Sequence, residues 1–203
     1  MRFYKLAAAA LLISFSTRAQ VLTYSDLSRK YIFKIGLIRK FDADSNYLNT
    51  KLKLRIFDRD TKHTQIIPIN GGLLFSSCYK TIKTSRSYST GIRKDAEVLD
   101  YDFGDIVVAD LNFDNKEDIA VKYDSGGDGG PDYIFYMQDA NGQFHEDNYL
   151  TKHVGGFPRY IDFDKKTITT QLHATCCLEG KKTFQYNIKT KKWRLVKWKM
   201  VSV

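Results

Sequence analysis

Proline is scarce in this 203-residue chain, with three in all, and so are cysteine with three, histidine with four and tryptophan with two. Each shortage excludes something. Three cysteines with no Cys-x-x-Cys pair do not make a structural zinc site, which takes about four ligands. They allow at most one intramolecular disulfide with one sulfur left over, so this is not a small cystine scaffold. His63, His145, His153 and His173 show no His-Glu-x-x-His spacing. The chain has no Gly-x-Ser-x-Gly elbow and no phosphate loop ending in Gly-Lys-Ser/Thr. No acidic pair is placed for acid–base work, and Asp162 and Asp164 only flank a turn. The chain therefore reads as a non-enzyme. Beyond the first residues no apolar run is long enough to cross a bilayer, and no convincing amphipathic helix is visible.

What is present begins with a leader. Residues 1–19 read as a secretory signal: Arg2 and Lys5, an apolar core from Leu6 to Phe15, and Thr17-Arg18-Ala19 as the cleavage site before Gln20. No cysteine follows, which argues against a lipoprotein anchor. The formal net charge is +9, and removal of Arg2, Lys5 and Arg18 with the leader lowers it to +6. The remainder, residues 20–203, is long enough for one domain with a real core. The expected location is the periplasm or the cell exterior. A basic exported chain suits an acidic surface, such as cell-wall polymer or an acidic protein. Nucleic acid is not an expected partner, because export removes the usual targets and no binding motif appears.

Strand signals dominate. Tyr31 to Ile38 is apolar and β-rich, Lys51 to Ile56 alternates with period two, and Thr64 to Ile69 follows as its partner. Leu73 to Tyr79 is a further strand, Thr84 to Gly91 reads as a mobile loop, and the acidic stretch Asp42 to Asn46 as an ordinary turn. Hairpins then recur: Ile119–Tyr123 with Tyr133–Gln138, Arg159–Phe163 with Thr167–Leu172, and Thr183–Ile188 with Trp193–Met200. The expected fold is all-β, a propeller-like or barrel-like assembly of antiparallel hairpins in a single domain, with a sandwich as the alternative. Parity puts Trp193 and Trp198 on opposite faces of their strand.

The most informative stretch is Val108 to Ile119. Asp110, Asn112, Asp114 and Asp118 set oxygens at loop positions 1, 3, 5 and 9, and the Lys116 carbonyl stands near position 7. A hard cation such as calcium takes roughly six to eight oxygens, which alternate residues of a tight turn can aim inward. Carboxylates brought this close repel one another unless a cation lies between them. It is not an EF-hand: position 12 is Val121, and the flanks are β-branched rather than helical. Asn115 stands at the usual turn-glycine position and tolerates left-handed backbone. A solvated acidic hairpin turn without an ion is the plainer alternative.

Asp124 to Asp132 holds four glycines, and Pro131 restrains its exit. It reads either as a recognition loop close to the acidic loop or as a long hairpin connection. The cysteines are Cys78, Cys176 and Cys177. A bond from Cys78 to one of the pair, or a vicinal bond between Cys176 and Cys177, are the two assignments. His173 lies nearby.

The acidic loop resembles the calcium loops of integrin-type FG-GAP repeats, which sit on β-hairpins of propeller blades. Over roughly residues 100–200 the ordered set of that loop, Pro131-Asp132-Tyr133, the Tyr136 to Phe144 hairpin, Cys176-Cys177 and Phe184-Gln185-Tyr186 resembles a wider family. Its members are exported bacterial proteins, some of them periplasmic immunity partners of peptidoglycan hydrolases, similar to calcium-binding lysozyme inhibitors. The resemblance implies a propeller-like fold, Ca2+ held by Asp110, Asn112, Asp114, Asp118 and the Lys116 carbonyl, and a cell-wall hydrolase as partner. It implies inhibition by occlusion, with the glycine loop and the His173 neighbourhood as candidate contacts. A +6 chain would lose electrostatic attraction for a basic lysozyme, which leaves a less basic hydrolase, or no hydrolase at all. The other reading is a calcium-stabilised adhesion or carbohydrate-binding module.

Overall fold

Two kinds of strand in the sequence become two kinds of layer in the structure. The structure is a computed structural model and describes residues 19–41, 47–72, 74, 86–88, 103–127 and 129–202. The first sheet is the meander β1 (Ala19–Tyr24), β2 (Tyr31–Phe41), β3 (Tyr47–Asp58) and β4 (Thr64–Gly71). In β3 the lysines and arginine of Lys51, Lys53 and Arg55 are exposed, while Leu52, Leu54 and Ile56 are buried. Register carries that face across the sheet: Leu54 lies opposite Ile35 and Ile67, and Leu52 opposite Leu37 and Ile69. One wet face and one dry face is what alternation means.

The middle sheet runs β5 (Arg86–Tyr88), β6 (Ile106–Ala109), β7 (Asp118–Asp124), β8 (Asp132–Gln138) and β9 (Phe144–Glu146). Every residue of β6 is buried, as are the first five of β7. Such runs do not alternate because both faces are covered. Ile106, Val108, Ile119 and Val121 pack with the first sheet. Val107, Ala109, Ala120, Tyr133 and Phe135 pack with Ile168, Phe184 and Trp193 of the third. Each valine, isoleucine and phenylalanine among these contributes roughly 1.5–3 kcal/mol on burial, the alanines less. One buried ion pair interrupts this core: Lys122 and Asp105 are both fully buried, 3.5 Å apart, and the Tyr24 hydroxyl donates to Asp105 at 2.6 Å.

The third sheet is β10 (Tyr160–Asp162), β11 (Thr167–Thr175), β12 (Leu178–Asn187) and β13 (Lys192–Ser202). The expected all-β assembly of hairpins is therefore present as three sheets, the middle one packed between the other two. Among the described residues none closes into a barrel, and β5 joins β6 in parallel.

The sequence reading missed two local features. A short helix, α1 (Asn148–His153), follows β9; Asp147 caps it, accepting from the Tyr149 and Leu150 N–H groups at 2.9 Å each. Six residues are too few to show a helical period. The second is a bulge in β13: Thr183 pairs with Lys197 but Phe184 with Leu195, which leaves Val196 as the extra residue. The bulge cancels the parity argument. Trp193 lies opposite Tyr186 and Trp198 opposite Lys182, so both indoles are on one face of the sheet. Trp193 is buried in the core and Trp198 is 61% exposed, so they form no paired platform.

Candidate metal centre

The acidic loop joins β6 to β7, with Ala109 paired to Asp118 at its base. Phe113 and Asn115 both adopt φ 63°, which winds the loop tightly. Only Asn115, of a type that tolerates this conformation, was legible as such a position. Asp110 accepts from the Asp114 N–H at 3.0 Å and from the Asn115 N–H at 2.9 Å. Asn112 Oδ1 accepts from the same Asp114 N–H at 3.0 Å. The oxygens of Asp110 and Asn112 are thus brought together at one point. Asp114 is turned toward Lys116: it accepts the Lys116 N–H at 3.0 Å and pairs with its Nζ at 3.3 Å.

Asp118 faces the interior. Its Oδ2 accepts from Leu111 N and Asn112 N, at 2.9 and 3.2 Å, and its Oδ1 from Gln138 N at 2.9 Å. Burial nonetheless pushes its pKa up to about 7, outweighing the three N–H donors, and the Asp114 charge adds to the rise. Burial likewise raises Asp110, again with Asp114 adding. The donor set fits a hard cation, since it offers oxygen alone. The Asp110–Asn112 convergence supplies a nucleus for a site, and Asp114 would complete it by leaving Lys116. Among the described residues no three His, Cys, Asp or Glu side chains are already gathered as a metal site.

The loop is a joint between all three sheets, which the sequence did not signal. Ser28, in the β1–β2 turn, donates to Glu117 at 2.5 Å. Gln138 Nε2 donates to the Glu117 carbonyl at 3.3 Å and to the Tyr31 hydroxyl at 3.0 Å. On the other side Phe113 inserts among Phe163, Tyr186 and Trp193, with ring centroids 5.4, 6.4 and 6.2 Å away.

The glycine loop is not close to the acidic loop. Asp118 begins β7 and Asp124 ends it, so a seven-residue strand of about 20 Å separates them. Asp124 instead holds its own turn, accepting from Gly126 N at 2.7 Å. Gly126 has φ +64°, and a methyl there would strike the Gly130 carbonyl, so the turn demands glycine. The glycine loop does meet the other suggested contact: the Cβ position at Gly129 lies 3.7 Å from the His173 carbonyl. Cys176 and Cys177 are exposed thiols in the β11–β12 turn, with sulfurs 3.2 Å apart. Cys78, the Leu73–Tyr79 strand apart from the buried Leu74, the Asp42–Asn46 turn, Asp128 and the leader up to Arg18 fall outside the described residues, as does most of Thr84–Gly91.

No protein-family model matches the sequence, and no curated protein matches it. A solved structure described as a Xanthomonas type IV secretion system related protein is similar in fold. Its TM-score is 0.57 at 14% identity, over 89% of this chain and 81% of that one. Among the described residues no helix is long and apolar enough to cross a membrane.

Proposed function

We propose that this chain is an exported β protein that binds calcium through its Asp110–Asp118 loop and blocks a cell-wall hydrolase by occlusion. It acts by binding and not by catalysis. The observation that carries the reading is the loop itself: Asp110 and Asn112 oxygens drawn to one N–H, beside Asp118, whose carboxyl burial pushes up to about 7. The cation would be held by Asp110, Asn112 and Asp114, with Asp118 and the Lys116 carbonyl behind them. It would neutralise the acidic turn and brace the three sheets that meet there. The fold of the neighbour described as related to type IV secretion supports an exported role. Gly129 and the His173 edge stand together at the other end of β7, and would offer a surface to a partner.

The decisive experiment pairs calorimetric titration of calcium with a muramidase panel, assayed with and without chelator. Binding that is lost in Asp110→Asn/Asp114→Asn, together with calcium-dependent inhibition, supports the reading. Absence of calcium binding at millimolar concentration ends it. Calcium binding without inhibition of any muramidase turns the reading to an adhesion or carbohydrate-binding module, which exposed Trp198 favours.

A further inference from the structure

The turns β10–β11 and β12–β13 lie at one end of the third sheet and enclose an open cleft of about 550 Å3. Five cationic side chains line it, Lys165, Lys166, Lys189, Lys192 and Arg194, and no carboxylate does. Asp162 pairs with Lys165 at 2.9 Å from outside the cleft. The other four have no carboxylate partner among the described residues. Arg194 is aimed by Gln185, to which it donates at 2.7 Å. Lys166 stands 5.4 Å over the Phe113 ring, in a left-handed conformation (φ 53°) that glycine or asparagine adopts more readily. Like charges gathered around one cleft repel one another, so an entering anion would stabilise the arrangement.

Two further observations narrow the ligand. Trp193 lines the cleft at 7% exposure, and its indole N–H is a buried donor without an acceptor among the described residues. Ile188 lies on the rim and is 53% exposed. An exposed isoleucine offers a hydroxylated sugar little, but suits an apolar side chain beside an acid. We infer that this cleft receives an acidic peptide segment of a protein partner, with its carboxylates on the lysine and arginine side chains and an apolar residue against Ile188. This rests on the reading that the chain binds a protein, but requires neither calcium nor a hydrolase.

The test uses a labelled peptide of glutamates and leucines, followed by anisotropy at low and at physiological salt, with an acidic polysaccharide of matched charge as the competing probe. The peptide is expected to bind, more tightly at low salt and in preference to the polysaccharide. Lys189→Glu/Lys192→Glu should weaken it on the order of tenfold or more. Lys34→Glu/Lys53→Glu makes the same charge change on the outer face of the first sheet, and should have less than a third of that effect. Equal losses in the two variants would reduce the attraction to net charge and overturn the cleft. Preference for the polysaccharide, or no binding of the peptide, would overturn it too. Because the assay contains no hydrolase, a null result here and a failure to inhibit muramidases are separate outcomes.

Discussion

At Asp118 a single carboxyl sets a pH dependence. Its folded pKa of about 7 lies above the unfolded value of about 3.9. Folding therefore takes up a proton between those limits, and stability falls as pH rises from about 4 through about 7. In chelator, melting temperature should decline from pH 5 to pH 8 relative to Asp118→Asn, which has no such group. Saturating calcium should flatten that difference, because a neighbouring cation favours the ionised form. A parallel pH course for the two proteins in chelator would contradict the burial argument. Lys122 offers a second residue-scale test. Lys122→Met leaves the Asp105 carboxylate buried without its cation and should cost about 3–5 kcal/mol in urea denaturation. Adding Asp105→Asn should restore most of that loss, while leaving an acceptor for Tyr24.

At the scale of elements the prediction concerns Phe113. It reaches from the acidic loop into the third sheet and is 6% exposed. Phe113→Ala should destabilise the protein by about 3–5 kcal/mol. It should also weaken acidic-peptide binding at the cleft whose floor it supports, whereas a loop independent of that sheet would leave the peptide affinity unchanged. Elements were also where the sequence was most and least readable. The alternation of Lys51 to Ile56 gave the first sheet's buried face, and the β-branched flanks of the acidic loop marked sheet without saying that both faces of β6 are covered. The candidate loop was legible because oxygen-bearing residues fall at alternate positions between two β-branched flanks. Its role as a joint was not, since Ser28–Glu117 and Phe113–Trp193 join residues 89 and 80 apart in sequence. The helix at Asn148 was too short to carry a period. The bulge at Val196 left no trace in composition, and one inserted residue reverses every facing argument beyond it.

At the scale of the molecule, three sheets meeting at one loop should unfold together while that loop is braced. Both tryptophans belong to the third sheet, whereas far-ultraviolet dichroism reports all three. In calcium the two thermal transitions should coincide. In chelator the tryptophan transition should come first, as the Phe113 contact loosens. Coincident transitions in both conditions would mean that the cation does not couple the sheets. Net positive charge makes a further prediction for the proposed acidic-peptide complex: binding should weaken as ionic strength rises, and more through slower association than through faster release.

The extra residue at Val196 has a practical outcome. By setting Trp198 beside Lys182 on the same sheet face as Trp193, it gives the chain an outer, exposed indole and an inner, enclosed one on a single face. The outer one should emit at longer wavelength and yield readily to acrylamide, the inner one at shorter wavelength and resist it. Anything that settles on this face would then announce itself as a blue-shifted, shielded fraction of the native emission, without a dye attached.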